Sequence, residues 1–227
     1  MSANRHERIG QETEEARAYF ERRAGSFDRL YSEKDQNWFV RRLNRRFRSD
    51  IVRRYLTTLR HAEAIGARRV LDVGCGSGRY LTALAELGVE RLVGIDLSAA
   101  MLELAREQLA AVRSVDVELV CGDFMRWSTE ERFDLVVAMG FFDYQLEPAP
   151  VLAKMRALVD HSVMASFPSR HWFRTPFRQI RYRFKRCPVF FYDREDILFL
   201  SRAAGFSRVE IAAIPGGGMD HVATFWV

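Results

Sequence analysis

Cysteine is scarce: the 227 residues hold three, Cys75, Cys121 and Cys187. An odd number at these spacings builds neither a disulfide framework nor a zinc site, so reduced, mostly buried thiols are expected. Proline is scarce too, at six, and no Pro/Gly/Ser-rich tract or internal repeat marks a linker. One folding unit of ordinary size is therefore expected. Long hydrophobic runs are missing. The longest, Leu135 to Phe142, has eight residues including Gly140, where a membrane-spanning helix needs about twenty. The N-terminal stretch MSANRHERIGQETEEARAYF is charged throughout and lacks the apolar centre of a secretory signal, which makes a cytoplasmic location the expectation. With 48% hydrophobic and 29% charged residues, the chain is also excluded from the disordered and collagen-like classes.

Acids are absent where bases gather. Arg41 to Arg54 carries seven arginines against Asp50, a balance of +6, and Arg170 to Arg186 carries six arginines and Lys185 against no acid, a balance of +7. Since the whole chain is +5, the remainder is −8. The basicity is local, and local charge steers particular ligands.

The patterning begins with a helical preface from about Glu12 to Ala64, with aromatics at Tyr19, Phe20, Phe27, Tyr31, Trp38, Phe39, Phe47 and Tyr55 that need something to cover. From Arg69 the signals alternate. RVLDV reads as a strand, GCGSG as a turn, and RYLTALAEL as a helix with Leu81, Leu84 and Leu87 at helical spacing. RLVGID (91–96) is the second strand, and Ser98 caps AAMLELAREQLAAV, where Met101, Leu104, Ala105 and Leu109 share a face. VELVCGD (117–123), FDLVVAMG (133–140) and SVMASF (162–167) read as three more strands, with the helix PVLAKMRALV between the last two. A helix, DREDILFLSRAAGF, and two closing strands, VEIAAI and HVATFWV, follow an insertion, with GGG and Asp220 making a hairpin the natural join. Alternation of this kind predicts an α/β fold: a seven-stranded, mostly parallel sheet with the last strand antiparallel and helices on both faces.

Ligands of such sheets bind beyond the carboxyl ends of the strands. Asp72-Val-Gly74-Cys-Gly76-Ser-Gly78 sits between the first strand and its helix, where glycines let a ligand approach the backbone and a helix terminus offers free N–H groups. Asp96 ends the second strand, 18 residues after Gly78, where an acid would accept both hydroxyls of a ribose. Asp123 ends the third. The glycine spacing departs from the dinucleotide pattern G-x-G-x-x-G.

In order and spacing, VLDVGCGSG, GIDLS, CGDF and FDLVVAMG resemble the class I S-adenosylmethionine-dependent methyltransferases of small-molecule type. The resemblance runs from about Arg69 to Val227. AYFERRAGSFDRLY looks like the tyrosine-containing helical lid of that family, and its core is similar, over a short stretch, to the start of enzymes that esterify a porphyrin propionate. The resemblance implies a Rossmann-like methyltransferase fold in which residues 1–64 are an N-terminal lid and 65–227 the cofactor domain, with an acceptor-side insertion at about 169–192. It implies S-adenosylmethionine as cofactor and S-adenosylhomocysteine as product. Gly74, Gly76 and Gly78 would let the methionine portion approach, with Asp72 aiding its amino group. Asp96 would hold the ribose, Leu97, Met101, Asp123 and Phe124 the adenine, Met139 and Gly140 the methionine moiety, and Tyr19 and Tyr31 would belong to the lid.

The acceptor stays more open. Candidate proton acceptors on loops at the ligand end are Asp143, Tyr144, His171 and His221. MGFFDY lacks the signature of amino-methylating enzymes of nucleic-acid bases, and no cysteine follows the fourth or fifth strand to serve as a nucleophile. Asp143 and Glu147 are too few acids for metal-dependent catechol chemistry, so no metal is expected. The insertion interleaves Arg170, Arg174, Arg178, Arg181, Arg183 and Arg186 with Trp172, Phe173, Phe177, Tyr182 and Phe184. Arg170 and Arg174 are the expected holders of an acidic small-molecule acceptor, methylated at oxygen. RNA, and a lipid or porphyrin met peripherally at a membrane surface, are the alternatives. A non-catalytic cofactor-binding domain is the alternative outside catalysis.

Overall fold

The computed structural model describes residues 14, 17, 18, 21, 38–169, 189–214 and 221–227, with only the backbone of 38–50. A long helix, α1 (Trp38–Ala64), precedes the alternating part: β1 (Arg69–Val73), α2 (Arg79–Glu86), β2 (Arg91–Asp96), α3 (Ala99–Leu109), β3 (Asp116–Cys121) and β4 (Phe133–Ala138). After a short 3-10 turn, Phe142–Tyr144, come α4 (Pro148–Leu158), β5 (Val159–Phe167), α5 (Arg194–Ala203), β6 (Arg208–Ala213) and β7 (His221–Trp226). Glu14, Arg17, Ala18 and Glu21 are helical.

The strands form one sheet in the order β3-β2-β1-β4-β5-β7-β6. β1 lies parallel to both β2 and β4, β4 is parallel to β5, and β7 is antiparallel to β5 and β6. The fold class is as expected. Chain direction reverses its course across the sheet between β1 and β4, which puts the ends of β1, β2 and β4 around the crevice where such sheets take their ligands.

Physical reasons account for the small departures. Pro148, which needs no intrahelical N–H partner at a helix start, opens α4 two residues earlier than the apolar pattern suggested. α4 then runs directly into β5, which starts at Val159 rather than Ser162 and is buried over its last six residues. On α3, Leu102 takes the core place expected of Leu104. Leu87, the C-cap of α2, is exposed. Cys75 is buried, but Cys121 is exposed because it ends the edge strand β3, so the expectation of mostly buried thiols fails there. Cys187 lies outside the described residues.

Two buried clusters flank the sheet. One holds Leu71, Ile95, Phe133, Phe142, Leu152, Phe167 and Phe225 with their neighbours; the other holds Val70, Leu81, Leu84, Leu92, Leu102, Leu135 and Met164. Alternate residues of β1 and β4 feed opposite clusters, as the two-residue period of a strand requires. Among the described residues no helix is long and apolar enough to cross a membrane.

Candidate active site

The loop after β1 is shaped by its glycines. Gly74 has φ 75° and Gly78 φ 77°, the left-handed region that other residues rarely adopt. A Cβ at Gly74 would stand 2.9 Å from Phe141 Cδ2, and one at Gly78 would stand 2.9 Å from Ala105 Cβ and 3.2 Å from its backbone Cα. Gly78 thus permits α2 and α3 to touch, and Gly74 likewise admits the Phe141 ring against the loop backbone. The Gly74 and Cys75 amides both donate to the Ile95 carbonyl, at 2.8 and 3.1 Å, tying the loop to β2.

Asp96 continues that tie. Its Oδ2 accepts from the Gly76 amide at 2.8 Å and its Oδ1 from Ser98 at 2.9 Å. Burial pushes its pKa up, and these amides pull it back down. Asp72 is 1% exposed and its Oδ2 has no hydrogen-bond partner among the described residues. Burial and the Asp96 charge push its pKa up to about 8. A buried carboxyl with an open oxygen, next to a glycine turn, suits a cationic or hydrogen-bonding ligand group.

The adenine-side candidates also converge. Met101 is buried, with its Cε 3.1 Å from the Cβ position of Gly76. Leu97 is half-buried beside Asp96. Asp123 opens a single turn: its Oδ1 accepts from Met125 at 2.8 Å and its carbonyl from Arg126 and Trp127. Phe124 is buried and meets Phe141 edge-on at 6.5 Å. From the N-terminal part comes Glu21, whose Oε1 accepts from the Ala99 amide at 2.7 Å at the start of α3, where the helix dipole favours a carboxylate.

Toward β5, Phe141 contacts Phe142 edge-on, Phe142 stacks on Phe167 at 4.6 Å, and Tyr192 stands against Phe167. Met139 and Gly140 follow β4, and the Gly140 amide donates to Ser166 Oγ at 2.7 Å, which also accepts from Arg54 Nη1 at 3.1 Å. Asp143 and Tyr144 lie in the 3-10 turn, half-buried. His221 pairs with Phe167 at the ligand end of β5. Ser169 bridges Tyr192, the Phe190 amide donates to the Asp143 carbonyl, and the Tyr192 hydroxyl to that of Gln145. Burial and the charges of Asp143 and Asp196 push the Tyr192 phenol up. Tyr19, Tyr31, Arg170, His171 and Arg174 lie outside the described residues. Among the described residues no three metal-ligating side chains gather.

Glu21, Arg54, Phe141, Lys154 and Ser166 were missed by sequence reasoning. Only Phe141 carried a local signal, in MGFFDY.

The family described as Methyltransferase domain matches residues 70–161. This segment is similar to methyltransferase domains and makes up less than half of the chain. Its relatives include a ubiquinone biosynthesis O-methyltransferase of Thiobacillus denitrificans, 38% identical over 96 residues, or 42% of this chain and 41% of that one. Another, an EEF1A lysine methyltransferase 2 of Danio rerio, is 39% identical over 75 residues, 33% of this chain and 32% of that one. The chain thus spans less than half the length of these curated relatives. Magnesium protoporphyrin IX methyltransferase of Synechocystis, solved with bound S-adenosylhomocysteine, has the same fold over 95% of this chain and 99% of its own, with TM-score 0.75 and 19% identity. The family match runs from β1 to the start of β5, and the relatives are named for different acceptors.

Proposed function

We propose that the chain transfers a methyl group from S-adenosylmethionine to an oxygen of a small anionic acceptor, leaving S-adenosylhomocysteine. The observation that carries the acceptor half is the rooting of the basic, aromatic segment 170–186. Its flanks, Ser169 on one side and Phe190 and Tyr192 on the other, are pinned to each other and to the Asp143–Gln145 loop at the ligand end of β4. That fits a cap over the acceptor.

The cofactor, when bound, supplies a methyl group on a sulfonium sulfur. The chain's own task is alignment, because in-line displacement needs the attacking atom about 3 Å from the carbon. In this reading Gly74, Gly76 and Asp72 hold the methionine end, beside Met139, while Gly78 serves the packing of α2 on α3. Asp96 accepts from the ribose hydroxyls, and Leu97, Met101, Asp123 and Phe124 enclose the adenine. The open oxygen of Asp72 supports this fit. Residues 1–64 close over the cofactor with Tyr19 and Tyr31, a reading supported by Glu21 at the start of α3. Arg170 and Arg174 hold the acceptor's acid group. Asp143, Tyr144, His171 and His221 are the groups available to take its proton.

A porphyrin-type acid met at a membrane surface is the second reading, in line with the fold shared with magnesium protoporphyrin IX methyltransferase.

Calorimetry with S-adenosylhomocysteine tests the cofactor half. Binding in the low micromolar range or tighter is expected, and Asp96→Ala should weaken it by at least about 1.5 kcal/mol through the lost charge-assisted contact. No heat with either adenosyl ligand, while NADH binds, would overturn the reading. Labelled methyl transfer to carboxylated phenols and porphyrin carboxylates tests the acceptor half; label entering unmodified bulk tRNA instead would move the acceptor to RNA.

A further inference from the structure

The turn that follows β3 is held from another element. Asp123 to Trp127 makes one turn only, so the carbonyls at its end have no next turn to accept from, and such groups need partners. Lys154, on α4, supplies them. Its Nζ donates to the Phe124 carbonyl at 2.5 Å, to the Met125 carbonyl at 3.3 Å and to the Trp127 carbonyl. An ammonium has three donors. The same Nζ lies 4.8 Å from the centre of the Phe124 ring, a cation–π contact that fixes the ring as well as the backbone.

We infer that Lys154 is a positioning residue for the adenine end of the cofactor pocket: its ammonium locks the turn that presents Asp123 and Phe124. The inference rests on the methyltransferase reading above, in which those two residues meet the adenine. The geometry separates the two ends of the turn. Asp123 closes the start, with its Oδ1 on the Met125 amide and its carbonyl on the Arg126 and Trp127 amides. Lys154 closes the finish. Without the second clamp the backbone of the turn would be hydrogen-bonded at its start alone, with only the apolar packing of Phe124 holding the rest. Burial pushes the Lys154 ammonium down while the Asp123 charge raises it. α4 begins just after the Phe142–Tyr144 turn, so one rigid helix connects this clamp with the acceptor-side loop.

The test measures binding of S-adenosylhomocysteine and of S-inosylhomocysteine, which lacks the exocyclic amine, by calorimetry on wild type, Lys154→Met and Lys154→Arg. Methionine keeps the apolar stem and removes every donor; arginine keeps the charge but its planar fork cannot converge on three carbonyls. Wild type should prefer the adenine ligand by at least about tenfold, as a site that pairs a polar group discriminates against its absence. Lys154→Met should weaken S-adenosylhomocysteine by about tenfold while affecting the inosine ligand less, so that the preference collapses, and Lys154→Arg should fall between. Melting curves identify the folded fraction of each variant, and the arginine variant carries the comparison if the methionine variant does not fold. Equal losses for both ligands would show a purely structural lysine and overturn the inference, as would an unchanged preference or a wild type with none. A wild type that binds neither ligand would overturn the cofactor reading itself, and this inference with it.

Discussion

At Asp72 a carboxyl is buried to 1% exposure with one oxygen open, and its pKa is pushed up to about 8 by burial and by Asp96. The cofactor-free native protein therefore keeps a proton there that the unfolded chain releases near pH 3.8. Between those values the native state binds more protons than the unfolded state, so stability falls as pH rises through the window, and each unit of displacement is worth about 1.4 kcal/mol. Asp72→Asn removes this dependence. Thermal melts between about pH 5 and 8 should show wild type losing several degrees more than the variant, whereas parallel curves would disprove the buried, protonated carboxyl. The variant should also bind S-adenosylhomocysteine about tenfold less tightly, for loss of one charged partner. The gathering of Asp72, the glycines and Asp96 at one turn was legible because it follows from local spacing at a strand end. Lys154 and Glu21 were not: their partners are about 30 and 78 positions away, and nothing near either residue in sequence announces the contact.

At the scale of elements, helix α1 is joined to the sheet by polar contacts as well as apolar ones. His61 and Ser162 Oγ are 2.7 Å apart, His61 stands edge-on to Trp226, and Arg54 reaches Ser166. Both serines are fully buried on β5. Ser162→Ala would leave the ring nitrogen of His61 without its partner, which costs about 1–2 kcal/mol. For a chain of this size the melting temperature should drop by roughly 2–8 °C, and an unchanged melt would show α1 to be held by its apolar face alone. The alternation of strands and helices was readable because strand and helix periods differ, and the sheet order follows once the crossovers are parallel. The boundaries were less so. β5 gains its first three residues because α4 abuts it without a loop, a tertiary fact with no composition signal. Leu102 rather than Leu104 faces the core because the packing of α3 on the sheet selects one of two adjacent stripes.

Over the whole molecule, Arg54 and the residues that flank the second basic stretch meet at one end of the sheet. Arg54, the last arginine of the first stretch, donates to Ser166 near the end of β5, and the second stretch is flanked by Ser169 and Phe190, both anchored at that same end. The two stretches carry the positive excess of the chain while the rest of the sequence sums to −8, and a local positive field concentrates anions. If that field serves the acceptor, its effect is graded along the segment. Arg170 and Arg174 lie one and five residues beyond Ser169, close enough to the strand end for a carboxylate or phosphate to be fixed while its oxygen meets the methyl group. Replacing either by Ala should lower kcat/KM for an acidic acceptor by about tenfold to a hundredfold, which is on the order of 1.4 to 2.8 kcal/mol for one charge-assisted contact. The affinity for S-adenosylhomocysteine should stay nearly unchanged, because none of the residues proposed to hold the cofactor belongs to that segment. Arg183→Ala and Arg186→Ala should matter less for a small acceptor, and as much or more if the segment lies against RNA or an anionic membrane. Raising salt should weaken the wild-type reaction more than that of Arg170→Ala, since screening removes what the substitution has already taken away. Four substitutions equally harmless to methyl transfer would show the cluster to be solvated surface charge and would remove the case for an acidic acceptor.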